Sequence, residues 1–183
     1  MKTKKMLYCS LFAALTAVGA FFHFQFIFAT LTLQFFFTAF AGVLLGPRLG
    51  ALSQALYVAL GLLGLPIFAA GGGIGYIFNP TFGFLIGLIP TAWIIGKLSG
   101  GKRTVKRLVL ACLAGLAVLY AIGLPYIALI VNVYQGGSVA ASTLATAYML
   151  PYLPGDFLKI IVCSLIGARL PEKVFLLRRD SKV

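Results

Sequence analysis

The stretch TLQFFFTAFAGVLLGPRLGALSQALYVALGLLGLP, Thr32 to Pro66, is apolar on both sides of one short interruption, GPRLG at Gly46 to Gly50. Proline lacks the N–H that an α-helix interior needs, and flanking glycines permit an abrupt change of direction. The stretch therefore reads as two helices joined by a tight turn that carries one charge, Arg48. Neither arm has a charged residue, and both are mostly Leu, Ala, Phe and Gly. That is the composition of segments solvated by hydrocarbon.

The whole chain follows the same pattern. Only 10% of its 183 residues are charged, against roughly 25% in an ordinary soluble domain, so it lacks material for a wetted surface. Its mean hydropathy is +1.05. The fold class is an all-α integral membrane protein, with one transmembrane domain over residues 1–183. The net charge of +12 comes from 15 Lys and Arg against three acids, Asp156, Glu172 and Asp180. The basic residues lie between apolar runs and form no face interleaved with aromatics, so nucleic acid is not an expected partner. Cys9, Cys112 and Cys163 each sit inside an apolar run and read as small buried hydrophobes. With His23 the single histidine, no histidine metal cluster is available.

Moving outward, the apolar character that follows Lys2, Lys4 and Lys5 continues for about 40 residues, enough for two spans of roughly 20 each. The break is expected near His23 to Leu31. After the turn at Arg48 comes the third span, then AAGGGIGYIFNP (Ala69 to Pro80), where the helical pattern breaks. A fourth span follows with Pro90 as a kink, then the charged loop SGGKRTVKR. The fifth span covers about Leu108 to Asn132, interrupted at Gly123 to Pro125. A mildly apolar segment holds a short outer helix, and the sixth span covers about Asp156 to Leu170. The tail from Glu172 is expected to be soluble. GGGIG, Gly71 to Gly75, lacks both the preceding strand and the Lys-Ser or Lys-Thr continuation of a phosphate loop. It reads as tightly turned backbone.

Six spans make a testable topology. With the amino terminus inside, the inner segments hold Lys2, Lys4, Lys5, Arg48, Lys97, Lys102, Arg103, Lys106, Arg107, Arg169, Lys173, Arg178, Arg179 and Lys182, which is fourteen of the fifteen basic residues. The outer loops hold none, as the positive-inside bias requires. Both termini are then cytoplasmic. Lys159 is the exception, one turn into the outer end of the sixth span, three positions after Asp156. That spacing puts the two on one helix face. A self-satisfying pair that caps the helix is one reading. The other is a pocket at membrane depth in which lysine meets a carboxylate or carbonyl and aspartate accepts from N–H groups. Thr32, Gln34, Asn79, Tyr126, Asn132 and Tyr134 reach the same depth, and Gly72 lies in backbone expected to cover the pocket.

TLQ at Thr32 to Gln34, the segment from Ala41 to Ala69, NPTFGFLIG from Asn79 to Gly87 and PGDFLK from Pro154 to Lys159 together resemble the BioY family, the substrate-binding membrane subunits of energy-coupling-factor biotin transporters. The resemblance covers nearly the whole chain. It implies six helices in the bacterial cytoplasmic membrane, capture of biotin outside the cell, and Asp156 and Lys159 as the acidic and basic pocket positions. The glycine-rich lead-in to the fourth span is altered here, and an arginine found shortly afterwards in some members has no counterpart, since Leu85 and Ile86 are apolar. The resemblance also implies partners: a transmembrane coupling protein and two cytoplasmic ATP-binding subunits, which alone use ATP. No cofactor is intrinsic to the chain. Ala13 and Ala17, spaced i,i+4, permit close helix contact, and the resemblance assigns them to docking with the coupling protein; internal packing is the alternative. A subunit for another vitamin is the nearest alternative function. A membrane enzyme would need a second carboxylate or an activated nucleophile near Asp156 and Lys159, and a channel would need a polar stripe through all six spans.

Overall fold

The computed structural model describes residues 2–26, 29–100, 104–138 and 140–171. The elements run α1 (Lys2–Phe21), β1 (His23–Phe26), β2 (Ala29–Thr32), α2 (Gln34–Leu62), a 3-10 helix (Ile74–Phe78), α3 (Phe82–Leu98), α4 (Val105–Leu129) with a π-helical turn (Ile130–Tyr134), α5 (Ala141–Tyr148) and α6 (Leu153–Arg169).

α2 is helical hydrogen bonding continued through a sharp reversal. Gly46, immediately before Pro47, has φ 81° and ψ −175°, which a side chain would resist. Beyond it the chain folds back. Thr38 Oγ1 donates to Gln54 Oε1 at 3.0 Å, and Gln34 Nε2 donates to the Tyr57 hydroxyl at 2.8 Å. In a straight helix residues 34 and 57 would be about 35 Å apart at 1.5 Å per residue. The arms 34–45 and 47–62 are therefore antiparallel, and they touch near the turn: a Cβ on Gly50 would stand 3.1 Å from Gly42 Cα. The expected two-helix reading of GPRLG is what the chain does.

Small residues set the remaining packing, because apolar side chains gain little from leaving lipid and dispersion must hold the helices. Gly96 of α3 lies on the α2 turn, where a Cβ would come 2.5 Å from Gly46 C and Pro47 N. Gly115 of α4 leaves room for Ile95, and Thr91 Oγ1 donates to the Gly115 carbonyl at 3.2 Å. α6 buries a stripe at Asp156, Ile160, Cys163, Ser164 and Gly167 and presents Phe157, Leu158, Ile161 and Leu165 outward. Several buried polar groups are paired across or within helices. Gln54 Nε2 reaches Thr16 Oγ1 of α1 at 3.3 Å and Ser53 Oγ at 3.2 Å, with all three residues fully buried. Such interhelical bonds average about 0.6 kcal/mol in membranes, so this cluster fixes register more than it adds stability.

The described residues thus make six helical passes: α1, two arms of α2, α3, α4 and α6. By length and apolar composition, α1, α2 and α4 with its π-turn are long enough to cross a membrane, and α5 with α6, bent by 55°, would make a fourth; α3 is shorter at 17 residues. The length of α2 is shared between two passes, so the reversal takes precedence over the end-to-end figure. One end of the bundle gathers the described basic residues other than Lys159. Cys9 Sγ lies 3.5 Å from the Leu49 carbonyl, Gly96 meets Pro47, and Arg107 Nε donates to the Leu98 carbonyl at 2.9 Å. Lys5, Arg48, Lys97, Arg107 and Arg169 belong to this end. Lys102, Arg103 and the tail from Glu172 lie outside the described residues.

Three details differ from expectation. The segment between α1 and α2 is an antiparallel hairpin that pairs His23 with Thr32 and Phe26 with Ala29, a short local addition to an all-helical fold. Its alternation of His, Phe, Gln and Phe has a period of two, masked by the apolar runs around it. α4 is not interrupted at Gly123 to Pro125: one continuous helix carries Pro125 within its last turns. The sixth helix starts at Leu153, ahead of Asp156, with Pro154 in its first turn, where a missing N–H costs nothing.

Candidate functional site

At the end opposite the basic residues the helices enclose a cavity of about 620 Å³, within the roughly 300–1,000 Å³ of small-molecule sites. One wall is apolar: Phe35 from α2, Phe84, Leu85 and Leu88 from α3, and Leu119 from α4. Its polar lining includes Asp156 and Lys159 of α6.

Asp156 sits in the first turn of α6, where unpaired backbone N–H groups favour a carboxylate. It is held from two sides. Lys159 Nζ donates to Oδ1 at 2.7 Å, and the Tyr120 hydroxyl, reaching across from α4, donates to Oδ2 at 2.8 Å. The side chains of Lys159 and Asp156 are only 11% and 8% exposed. Both line the cavity. A carboxylate offers about four acceptor positions and an ammonium three donors, so after their mutual bond each keeps capacity for a solute. Self-satisfaction and solute binding are therefore compatible here.

The cavity brings together five of the residues read from sequence: Thr32, Gln34, Asn79, Asp156 and Lys159. Asn79 is partly committed, since its Oδ1 accepts from Thr81 N at 3.0 Å and Thr81 Oγ1 at 2.8 Å at the start of α3. Its amide N–H groups are what it offers a solute. Gly72 and Tyr126 do not line the cavity. Gly72 is pressed against the chain just beyond α2, where a Cβ would collide with the Leu65 carbonyl; Ala69 and Ala70 supply the wall instead. Tyr126 donates to the Ile77 carbonyl at 2.6 Å and so props the 3-10 helix from behind. Asn132 and Tyr134 also lie off the cavity, Tyr134 stacked on Phe78 with ring centroids 4.6 Å apart.

The glycine-rich segment is firmly seated. Phe68, fully buried, occupies a notch that exists because residue 61 is glycine, and its ring contacts Tyr57 at 5.5 Å and Tyr76 at 4.7 Å. Gly71 and Gly73 supply positive φ of 111° and 100° for the turns.

Tyr76, Tyr120, Tyr148 and Tyr152 line the cavity and were not singled out in the sequence. Tyr120 carried one usable signal: it is a phenol in the middle of an otherwise apolar span, and a buried hydroxyl needs a partner. Tyr148 and Tyr152 enter through the 55° bend between α5 and α6, which no local pattern marks.

On α1, Ala13 is 3% exposed and belongs to the core, while Ala17 is half-buried against it. Leu7, Leu11 and Val18 form the open side of this helix.

The model of the BioY family matches residues 1–175. A probable biotin transporter BioY from Lysinibacillus sphaericus is 38% identical over 99% of this chain and 93% of its own length. One from Pyrococcus horikoshii is 40% identical over 93% and 98%. The biotin transporter BioY of Thermotoga maritima is 33% identical over 92% and 96%. Among solved structures, the S-component for biotin from an ECF-type ABC transporter aligns with a TM-score of 0.76 at 25% identity, over 92% of this chain and 90% of that one. FolT bound with folic acid shares the fold, with a TM-score of 0.69 at 18% identity. This chain, with its reversed α2 and its paired Asp156 and Lys159, belongs to the BioY family.

Proposed function

We propose that this integral membrane protein captures biotin in the cavity and serves as the substrate-binding subunit of an energy-coupling-factor uptake system. It is a transporter subunit and not an enzyme. The observation that carries the reading is the buried cluster of Asp156, Lys159 and Tyr120 facing an apolar wall. Biotin has the complementary shape: a ureido ring with two N–H groups and a carbonyl, a thioether ring, and an aliphatic chain that ends in a carboxylate. Asp156 accepts from N–H groups, Lys159 donates to an oxygen, and Phe35, Phe84 and Leu88 cover the apolar part. Thr32, Gln34 and Asn79 complete the polar edge, while Gly72 and Tyr126 support the cover from behind. The test is a panel of vitamins, folate included, added to the purified chain. A ligand stabilises the state it binds by RT ln(1 + [L]/Kd), so biotin is expected to raise the melting temperature at the lowest concentration. Stabilisation by another vitamin, with none by biotin, would refute the assignment.

The six helical passes act as six membrane crossings of a single domain, with both termini cytoplasmic and the cavity facing outward. This rests on the grouping of Lys5, Arg48, Lys97, Arg107 and Arg169 at one end and on the positive-inside bias. The three native cysteines are buried, so single cysteines placed at Gly75, where a side chain meets nothing within 4 Å, Gly137 and Arg48 can be read separately. The first two are expected to label from outside intact cells and the third only after permeabilisation; the reverse pattern would invert the topology.

Energy comes from partners: a transmembrane coupling protein and two cytoplasmic ATP-binding subunits. Docking uses the α1 side of the bundle, with Ala17 at its edge and Ala13 behind it. Ala17→Leu is expected to weaken co-purification with the coupling protein more than biotin binding. Ala13→Leu, which overfills the core, is expected to cost about 1–3 kcal/mol of stability. Equal losses of both properties in the two variants would make the stripe an internal packing face alone.

A further inference from the structure

Tyr57 lies on the second arm of α2, fully buried and off the cavity wall. Its hydroxyl accepts from Gln34 Nε2 at 2.8 Å and donates to the Ile67 carbonyl at 3.0 Å. Gln34 does line the cavity, and its Oε1 accepts from Thr32 Oγ1 at 3.3 Å. These three bonds together fix the polarity of the Gln34 amide. A flipped amide would set Oε1 against a phenol oxygen whose one proton is already committed to Ile67, so it would leave one group unpaired. One N–H and one carbonyl lone pair of Gln34 then remain for a solute, in a defined direction.

The phenol itself cannot swing away. Its ring packs edge-on against Phe68 with centroids 5.5 Å apart and planes at 83°, and Phe68 is seated in the Gly61 notch. The Ile67 carbonyl, in turn, belongs to the segment that delivers Ala69 and Ala70 to the cavity. One hydroxyl therefore ties the α2 edge of the cavity to its cover.

We infer that Tyr57 is a positioning residue for solute binding: it acts through Gln34, holding that amide in a single orientation at the cavity edge. The inference rests on the biotin-binding reading and deepens it. A hydroxyl present only to satisfy the Ile67 carbonyl would have no reason to engage Gln34, and a phenylalanine would fill the same apolar space.

The test is a double-mutant cycle on the purified full chain, read as biotin Kd by titration calorimetry. Tyr57→Phe is expected to weaken binding roughly three- to tenfold, the scale of one net hydrogen bond. Gln34→Ala is expected to weaken it at least as much, and Tyr57→Phe/Gln34→Ala no further than Gln34→Ala alone. Melting temperatures without biotin will fall for any loss of packing, so the non-additivity in Kd is the decisive readout. Losses that multiply, or a Tyr57→Phe variant with parental Kd, would overturn the inference. Should Tyr57→Phe fail to fold, Thr32→Val releases the other end of the same amide. It is expected to lower affinity by more in the parent than in the Gln34→Ala background, where only the contact of Thr32 itself with the solute is lost; equal effects in both backgrounds would overturn the inference. A parent chain that does not bind biotin would defeat the functional reading before the cycle is reached.

Discussion

Asp156→Asn is expected to leave a folded protein whose biotin affinity falls roughly thirtyfold to several thousandfold. The range follows from the roughly 2–5 kcal/mol cost of truncating one partner of a buried, hydrogen-bonded charge pair, at 1.4 kcal/mol per decade. Asparagine keeps the volume and one acceptor, so Tyr120 retains a partner, but Lys159 loses its counter-charge at a site where its side chain is 11% exposed. Lys159→Met should act similarly by removing the ammonium and keeping the apolar stem. The double variant separates the two roles of the pair. If Asp156 and Lys159 serve only one another, removing both restores stability and leaves biotin binding near the parental value. If they hold the solute, the double variant melts near the parent and remains a poor binder. Calorimetric Kd and melting temperature on the same four preparations decide between these outcomes, and parental affinity in the double variant would refute direct contact.

Gly96→Val is expected to cost about 3 kcal/mol or more, beyond ordinary overpacking of about 1–3 kcal/mol. The reason is what the new Cβ would meet. Its neighbours at 2.5 to 2.6 Å are the backbone of Gly46 and Pro47, which cannot rotate aside as a side chain could. α3 would have to move off the α2 turn, and with it Phe84, Leu85 and Leu88 of the cavity wall. Folded yield and melting temperature are therefore expected to collapse together with biotin binding. Gly75→Ala is the control, because nothing lies within 4 Å of its Cβ position and its φ is not in the left-handed region. Equal melting of the two variants would show that the close approach at Gly96 is not required.

Much of the architecture was legible because hydrocarbon imposes long-wavelength rules. GPRLG announced a reversal, since proline and glycine act on their own backbone, and the fourteen basic residues assigned to one side by the six-span topology left Lys159 as an anomaly. That anomaly led to Asp156, and the shared depth of Thr32, Gln34 and Asn79 led to the cavity edge. The hairpin at His23 to Thr32 was less legible, because four-residue strands give too short a pattern to compete with flanking apolar runs.

What the sequence determined by itself is what depends on neighbours along the chain: the apolar helices, their breaks, the charge bias and the i,i+3 pairing of Asp156 with Lys159. The tertiary structure alone decided what depends on contacts between distant segments. Tyr120 meets Asp156 across 36 positions, Tyr57 meets Gln34 across 23, and Tyr126 supports Ile77 across 49. It also turned Ala13 into the core and set Gly72 behind the wall that Ala69 and Ala70 form. The physical reason is that periodicity predicts the surface a helix has to bury, whereas the partner of each buried hydroxyl is set by how far apart, and at what rotation, small residues such as Gly42, Gly96 and Gly115 let the helices pack.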